Sequence, residues 1–91
     1  MGEEWNYRFT KQAREDLRML DEETATRIVE KLEDVITSEF RKPPDWLEPL
    51  SDLEYQKLRV GKYRALIVVI RDDNVLEVHQ VGHRRNVYDR L

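Results

Sequence analysis

The stretch that most limits the fold runs from Tyr55 to Val81, where three apolar runs follow one another across two short turns. Tyr55–Val60 alternates, with Leu58 and Val60 on one face and Tyr55, Lys57 and Arg59 on the other. Gly61-Lys62 makes the first turn. Tyr63–Ile70 is apolar almost throughout, as expected of a central strand covered on both faces, and its one early charge is Arg64. Asp72-Asp73-Asn74 is turn chemistry, and Val75–Val81 is the third strand, from which Gly82 releases the chain. Turns this short make neighbouring antiparallel strands. A short tail from His83 to Leu91 follows, carrying Val87-Tyr88.

The residues before this run supply its backing. Trp5, Tyr7 and Phe9 alternate with Asn6 and Arg8, the period of a strand with one buried face. Thr10 is an N-cap for a helix to about Met19, with Ala13, Leu17 and Leu20 on one side. Asp21 caps a second helix, with Glu22 and Glu23 in the first turn, where the helix dipole favours anions. Ala25, Ile28, Leu32, Val35 and Ile36 form its apolar stripe. From Ser38 to Asp52 the periodicity stops, and Pro43, Pro44 and Pro49 exclude a long helix or a central strand. Trp46 and Leu47 fold back on the core there, with a single helical turn. The order is β-α-α-β-β-β, one α+β domain over residues 1–91. A helical hairpin covers one face of an antiparallel sheet and leaves the other partly open.

Charge is divided along the chain. Residues 1–53 hold 8 Lys/Arg and 14 Asp/Glu, whereas residues 54–91 hold 8 Lys/Arg and 5 Asp/Glu, so an acidic helical half meets a basic sheet half. A basic face of this kind suits phosphate. The chain has no cysteine, hence no disulfide framework, which fits a cytoplasmic protein. No stretch approaches the roughly 20 apolar residues needed to cross a bilayer, so no membrane partner is expected. The two histidines, His79 and His83, straddle a strand end and lack metal-ligand spacing, so neither metal nor cofactor is expected.

The remaining chemistry is basic. Lys57, Arg59 and Arg64 can share a face across two antiparallel strands, with Arg84 and Arg85 closing over it. Pairing with Asp89, Glu54 or Glu77 as surface ion pairs accounts for Arg59 but not for Arg64, since a lone arginine in an apolar central strand is costly without a task. RNA carries its own nucleophile, the 2′-hydroxyl. An enzyme need only take that proton, stabilise charge on the phosphoryl oxygens and protonate the leaving 5′ oxygen. Guanidinium groups serve the second step. The base is open between Lys57, with its pKa lowered by neighbouring arginines, and His83.

Two motifs then make the pattern specific. KLRVGKYRALIVV followed by VGHRRNVY resembles the RelE superfamily of toxins from toxin–antitoxin modules. Leu58, Arg59, Gly61, Tyr63 and Arg64 match its L-R-x-G-x-Y-R strand pair. Gly82, His83, Arg84 and Tyr88 match its closing G-[HK]-R-x-x-x-Y. The resemblance implies a microbial-ribonuclease-like fold, metal-independent cleavage of mRNA in the ribosomal A site, and neutralisation by a RelB-like antitoxin. It makes Arg64 and Arg84 phosphate-stabilising, Lys57 a catalytic-strand lysine and Tyr88 the residue that orients a base. Arg59, Lys62 and Arg85 are expected to bind RNA, and Leu66 with Val68 to form an apolar strip for the antitoxin. Tyr55 departs from the pattern, standing where some members carry a second lysine, and the overall acidity departs from members that are often basic. A ParE-like poison of DNA gyrase with no RNase activity is the alternative within the superfamily. An inactive relic that only binds antitoxin is a third, which growth arrest on expression would eliminate.

Overall fold

The computed structural model describes residues 4–50 and 54–90. The expectations placed on Asp52 and Leu91, and on the side-chain pairing of Asp89, lie outside the described residues. The elements are β1 (Asn6–Phe9), α1 (Lys11–Met19), α2 (Glu22–Thr37), a 3-10 turn (Pro43–Trp46), β2 (Glu48–Pro49), β3 (Gln56–Val60), β4 (Tyr63–Ile70), β5 (Val75–His83) and a closing 3-10 turn (Val87–Arg90).

Both helices begin where their caps place them. Thr10 Oγ1 accepts the Ala13 amide at 3.2 Å and Asp21 Oδ1 accepts the Thr24 amide at 2.9 Å. Each such cap contributes about 1 kcal/mol by satisfying a donor the helix cannot. Gly61 turns β3 into β4 at φ +60, and Asn74 closes the β4–β5 turn at φ 54, the left-handed region that glycine and asparagine tolerate best.

The sheet order is β1-β5-β4-β3-β2. The expected three-strand run is antiparallel, but the sheet as a whole is mixed, because β1 joins β5 in parallel. No hairpin links those two strands, so turn chemistry does not set their relative direction. The fifth strand, β2, is two residues long and pairs antiparallel with β3, Glu48 facing Lys57. Pro49 is tolerated there because the strand lies at the sheet edge. The third strand also runs past its expected end: Gly82 pairs with Arg64 and His83 with Tyr63. The Arg84 amide then donates to the Lys62 carbonyl at 2.9 Å, holding the chain to the sheet beyond Gly82.

One face of the sheet carries the core. Ala13, Ile28, Leu32 and Val35 of the helices pack with Leu58, Ala65, Ile67, Leu76, Val78 and Val81 of the sheet, flanked by Trp5 and Leu47. Trp46 packs against this cluster from the first 3-10 turn, with Lys31 Nζ and the Arg41 guanidinium each over its ring, at 4.6 Å and 4.5 Å. It holds down the loop, as expected.

The register slips between Leu66 and Ile67, where Leu66 faces Gln80 while Ile67 faces Val78. His79 is therefore an extra residue, a β-bulge that sends His79 and Gln80 to the same side. Helix α1 absorbs the backbone groups this frees. Asp16 Oδ2 accepts the Val81 amide at 2.9 Å, and Thr10 Oγ1 donates to the His79 carbonyl at 3.3 Å.

Candidate functional site on the open sheet face

Leu58 points into the core, so its neighbours Lys57 and Arg59 point to the opposite face, as does Arg64, between Tyr63 and Ala65 on β4. The register places Arg59 opposite Arg64 and Lys57 opposite Leu66. Lys57, Arg59, Arg64 and Leu66 thus share one face. The C-terminal 3-10 turn brings Tyr88 to it, with Lys57 Nζ 5.9 Å from the Tyr88 ring centroid.

Arg64 is 8% exposed, and its Nη1 donates to the carbonyls of Gly61 at 2.9 Å and Tyr63 at 2.8 Å. The bonds of the β3–β4 turn fix the guanidinium. No carboxylate lies within ion-pair distance of it among the described residues. A buried, permanently charged group without a counterion is a strong attractor for an anion. Gly82 faces Arg64 from β5 and puts no side chain beside it.

Lys57 and Arg59 do have an anion. Glu48 on β2 takes both, Oε1 at 3.0 Å from Arg59 Nε and Oε2 at 3.6 Å from Lys57 Nζ. Among the described residues, the partner of Arg59 is therefore Glu48, not Glu54 or Glu77. Lys62, Arg84 and Arg85 are exposed at the end of the sheet near the β3–β4 turn.

Two expected members are not where the sequence suggested. The His83 ring meets the Tyr63 ring edge-on at 5.6 Å, and Tyr63 packs against the helix-side core. The alternation of β4 puts it on the side away from Arg64, and its Nδ1 takes the Arg85 amide at 3.2 Å. Leu66, expected to stand exposed, is 0% exposed, as is Val87 of the closing turn. That turn packs on β5, and Val68 is half-buried. The large apolar side chains that do stand in solvent among the described residues are Met19 and Phe40, at the ends of the helices.

The open face also holds residues not singled out from sequence. Glu77 binds Arg8 of β1, Oε2 at 2.7 Å from Nη2 and 2.8 Å from Nε, while its Oε1 lies 2.7 Å from His79 Nε2. The Arg8 bond, followed by the His79 bond, holds the Glu77 carboxyl below its ordinary pKa. Tyr55 reaches His79 with rings 5.4 Å apart, edge to face. Gln80 Oε1 and Tyr88 Oη are buried polar atoms with no hydrogen-bond partner among the described residues. The E-x-H spacing of Glu77 and His79 puts both on one strand face and is legible in the sequence. The Arg8 contact depends on the parallel β1–β5 register and is not. Among the described residues, no group of three or more His, Asp or Glu side chains is arranged to hold a metal ion.

The model of a family described as "ParE toxin of type II toxin-antitoxin system, parDE" matches residues 7–88. No curated protein matches the chain significantly. Among solved structures, the toxin–antitoxin complex RelBE2 of Mycobacterium tuberculosis is similar at a TM-score of 0.76 and 28% identity, over 88% of this chain and 98% of that one. The archaeal RelE–RelB complex of Pyrococcus horikoshii matches at a TM-score of 0.67 and 20% identity, over 93% and 100%. A mutant of the E. coli toxin RelE in the free state matches at 0.69 and 21%, over 98% and 99%, and these last two speak for the fold alone. With a family model spanning nearly the whole chain and a matching two-layer architecture, the chain belongs to the ParE toxin family of type II toxin–antitoxin systems, within the RelE/ParE superfamily.

Proposed function

We propose that this protein is the toxin of its module and acts as an endoribonuclease that cuts mRNA on the ribosome without a metal ion, in the cytoplasm. The observation that carries this reading is Arg64, a buried guanidinium with no carboxylate partner among the described residues, on the same face as Lys57 and Tyr88. In that role Arg64 meets the scissile phosphate and takes up the charge that develops on its oxygens. Arg84, exposed beside the β3–β4 turn, adds a second guanidinium, and Arg59, Lys62 and Arg85 extend the positive rim to neighbouring phosphates. Tyr88 orients a base, and Lys57 protonates the leaving oxygen. RNA supplies its own 2′-hydroxyl as nucleophile, so the products are a 2′,3′-cyclic phosphate and a 5′-hydroxyl.

A RelB-like antitoxin is the proposed partner, since the Mycobacterium tuberculosis and Pyrococcus horikoshii neighbours are toxin–antitoxin complexes. Its carboxylates would neutralise the arginine face. Binding at Val68 remains part of this proposal, whereas Leu66 is fully buried and offers the antitoxin no surface.

The family description favours one competing reading, a ParE-type toxin that cuts no RNA. Primer extension on messages from cells expressing the protein separates the two. Codon-aligned cuts support the endoribonuclease; intact messages with broken DNA support a gyrase poison.

A further inference from the structure

His79 has no part in the site expected from the sequence, yet the fold takes particular care of it. The bulge at His79 turns two consecutive side chains onto the open face, and α1 satisfies the backbone around it through Asp16 and Thr10. Glu77 then fixes the ring. A carboxylate bound to Arg8 only accepts hydrogen bonds, so the proton between Glu77 Oε1 and His79 lies on Nε2. Nδ1 is left with the lone pair, and no acceptor or donor among the described residues engages it. A carboxylate holding one imidazole nitrogen so that the other can take a proton is the arrangement that makes histidine an efficient base. The side chains stay in reach of solvent, 28% exposed for His79 and 22% for Glu77.

We propose that His79, oriented by Glu77, is the general base that removes the 2′-hydroxyl proton of the RNA. The proposal rests on the endoribonuclease reading and fills the one role that reading leaves vacant, since His83 lies on the other side of the sheet from Arg64. In the step, Nδ1 takes the 2′ proton as the 2′ oxygen bonds to phosphorus. The bond from phosphorus to the 5′ oxygen breaks, and that oxygen takes a proton from the Lys57 ammonium, which water restores. Lys57 and His79 stand on β3 and β5, either side of β4, so about 10 Å separates their backbones. Leu66 lies between them in the register and Arg64 two residues further along β4, so a phosphate at Arg64 would sit to one side of the Lys57–His79 line. Tyr55 spans the same gap and sets the inner wall.

Among the described residues, the charged and titratable groups against His79 are Glu77 on its own strand, with Arg8 of β1 bound to that carboxylate, and Tyr55 from the approach to β3. The competing view is that Arg8, Glu77 and His79 only tie β1 to β5. Single-turnover cleavage of mRNA on programmed ribosomes, from about pH 6 to about pH 8.5, distinguishes them. Wild type, His79→Gln, Glu77→Gln and Arg64→Ala would be compared. The proposal expects the wild-type rate to rise with pH to a plateau. His79→Gln should lower that plateau by about 10²–10⁴ and abolish the acid limb. Glu77→Gln should keep the limb but lower the plateau, because the ring is no longer held with Nδ1 placed to take the proton. A His79→Gln protein that keeps the limb, whether fast or slow, overturns the proposal. If Arg64→Ala is then inactive, the endoribonuclease reading survives alone. If His79→Gln does not fold, as judged by circular dichroism, a wild-type plateau in Glu77→Gln overturns it equally. A wild type that cuts no RNA removes both readings together.

Discussion

Arg59 and Arg64 face each other directly across the β3–β4 ladder, and among the described residues only Arg59 of the two has a carboxylate partner. Like charges in that position repel, so each needs a separate outlet. Arg59 leans outward to Glu48 at the sheet edge. Arg64 folds onto the turn carbonyls of Gly61 and Tyr63, which leaves its positive charge uncompensated among the described residues.

This asymmetry separates the two arginines by experiment. Arg64→Ala should slow RNA cleavage by about 10²–10³, the loss expected when one group stabilising an oxyanion is removed. It should also destabilise the fold by about 1–3 kcal/mol, since two carbonyls lose a charged donor. Arg59→Ala removes a surface ion pair worth at most about 1 kcal/mol, and its cleavage should stay close to wild type. Cleavage assays beside thermal melts of both variants check this.

On the endoribonuclease reading, Glu48 would compete with RNA for Lys57 and Arg59. Glu48→Gln should release Lys57 and Arg59 and tighten binding of a short single-stranded RNA. It should also steepen the salt dependence of log K by about 0.7 for each further phosphate neutralised. Filter binding across a salt series reads both effects. An unchanged slope would mean that neither cation meets the RNA backbone.

The Asp16 contact with Val81 joins the helical layer to the bulge. Asp16 is only 7% exposed, so Asp16→Ala should leave a buried amide without its acceptor. The cost should be about 1–3 kcal/mol, a fall in Tm of roughly 4–8 °C per kcal/mol for a domain of this size. Asp16→Asn keeps an acceptor and should cost less. Differential scanning calorimetry gives the comparison.

Stability should fall at both extremes of pH for identifiable reasons. The folded-state pKa of Glu77 is depressed, by Arg8 first and His79 second, so its contribution is present above the ordinary glutamate value and lost as pH drops through the folded one. Tyr7 is pushed up to about 12 by burial and by its bond to Glu33. Between its ordinary value of 10.0 and about 12 the unfolded chain ionises first, so stability declines as pH rises. Denaturant titrations should show the acid loss reduced in Glu77→Gln and the alkaline loss reduced in Tyr7→Phe.

Much of this was legible in the residues. The two helices, their Thr10 and Asp21 caps and the Tyr63–Ile70 strand follow from local spacing alone, because each is fixed by neighbours in sequence. The basic face was legible too, since Lys57, Arg59 and Arg64 lie on two strands joined by a tight turn. What escaped depends on partners far along the chain. The parallel seat of β1 beside β5 brings Arg8 to Glu77, and a two-residue strand beside Pro49 brings Glu48 to Lys57 and Arg59. The bulge that exposes His79 shows only in a register that α1 helps to set. Leu66 looked like part of an exposed strip because nothing in its own strand reveals that it is fully buried on the face away from the helices.

The chemistry of the cut ends tests the central claim most directly. Messages cleaved on ribosomes in the presence of the protein should carry a 2′,3′-cyclic phosphate upstream and a 5′-hydroxyl downstream. The downstream fragment would accept label from a polynucleotide kinase without prior phosphatase treatment. Fragments ending in a 3′-hydroxyl and a 5′-phosphate would contradict the account, because no attack by the RNA's own 2′ oxygen leaves those ends.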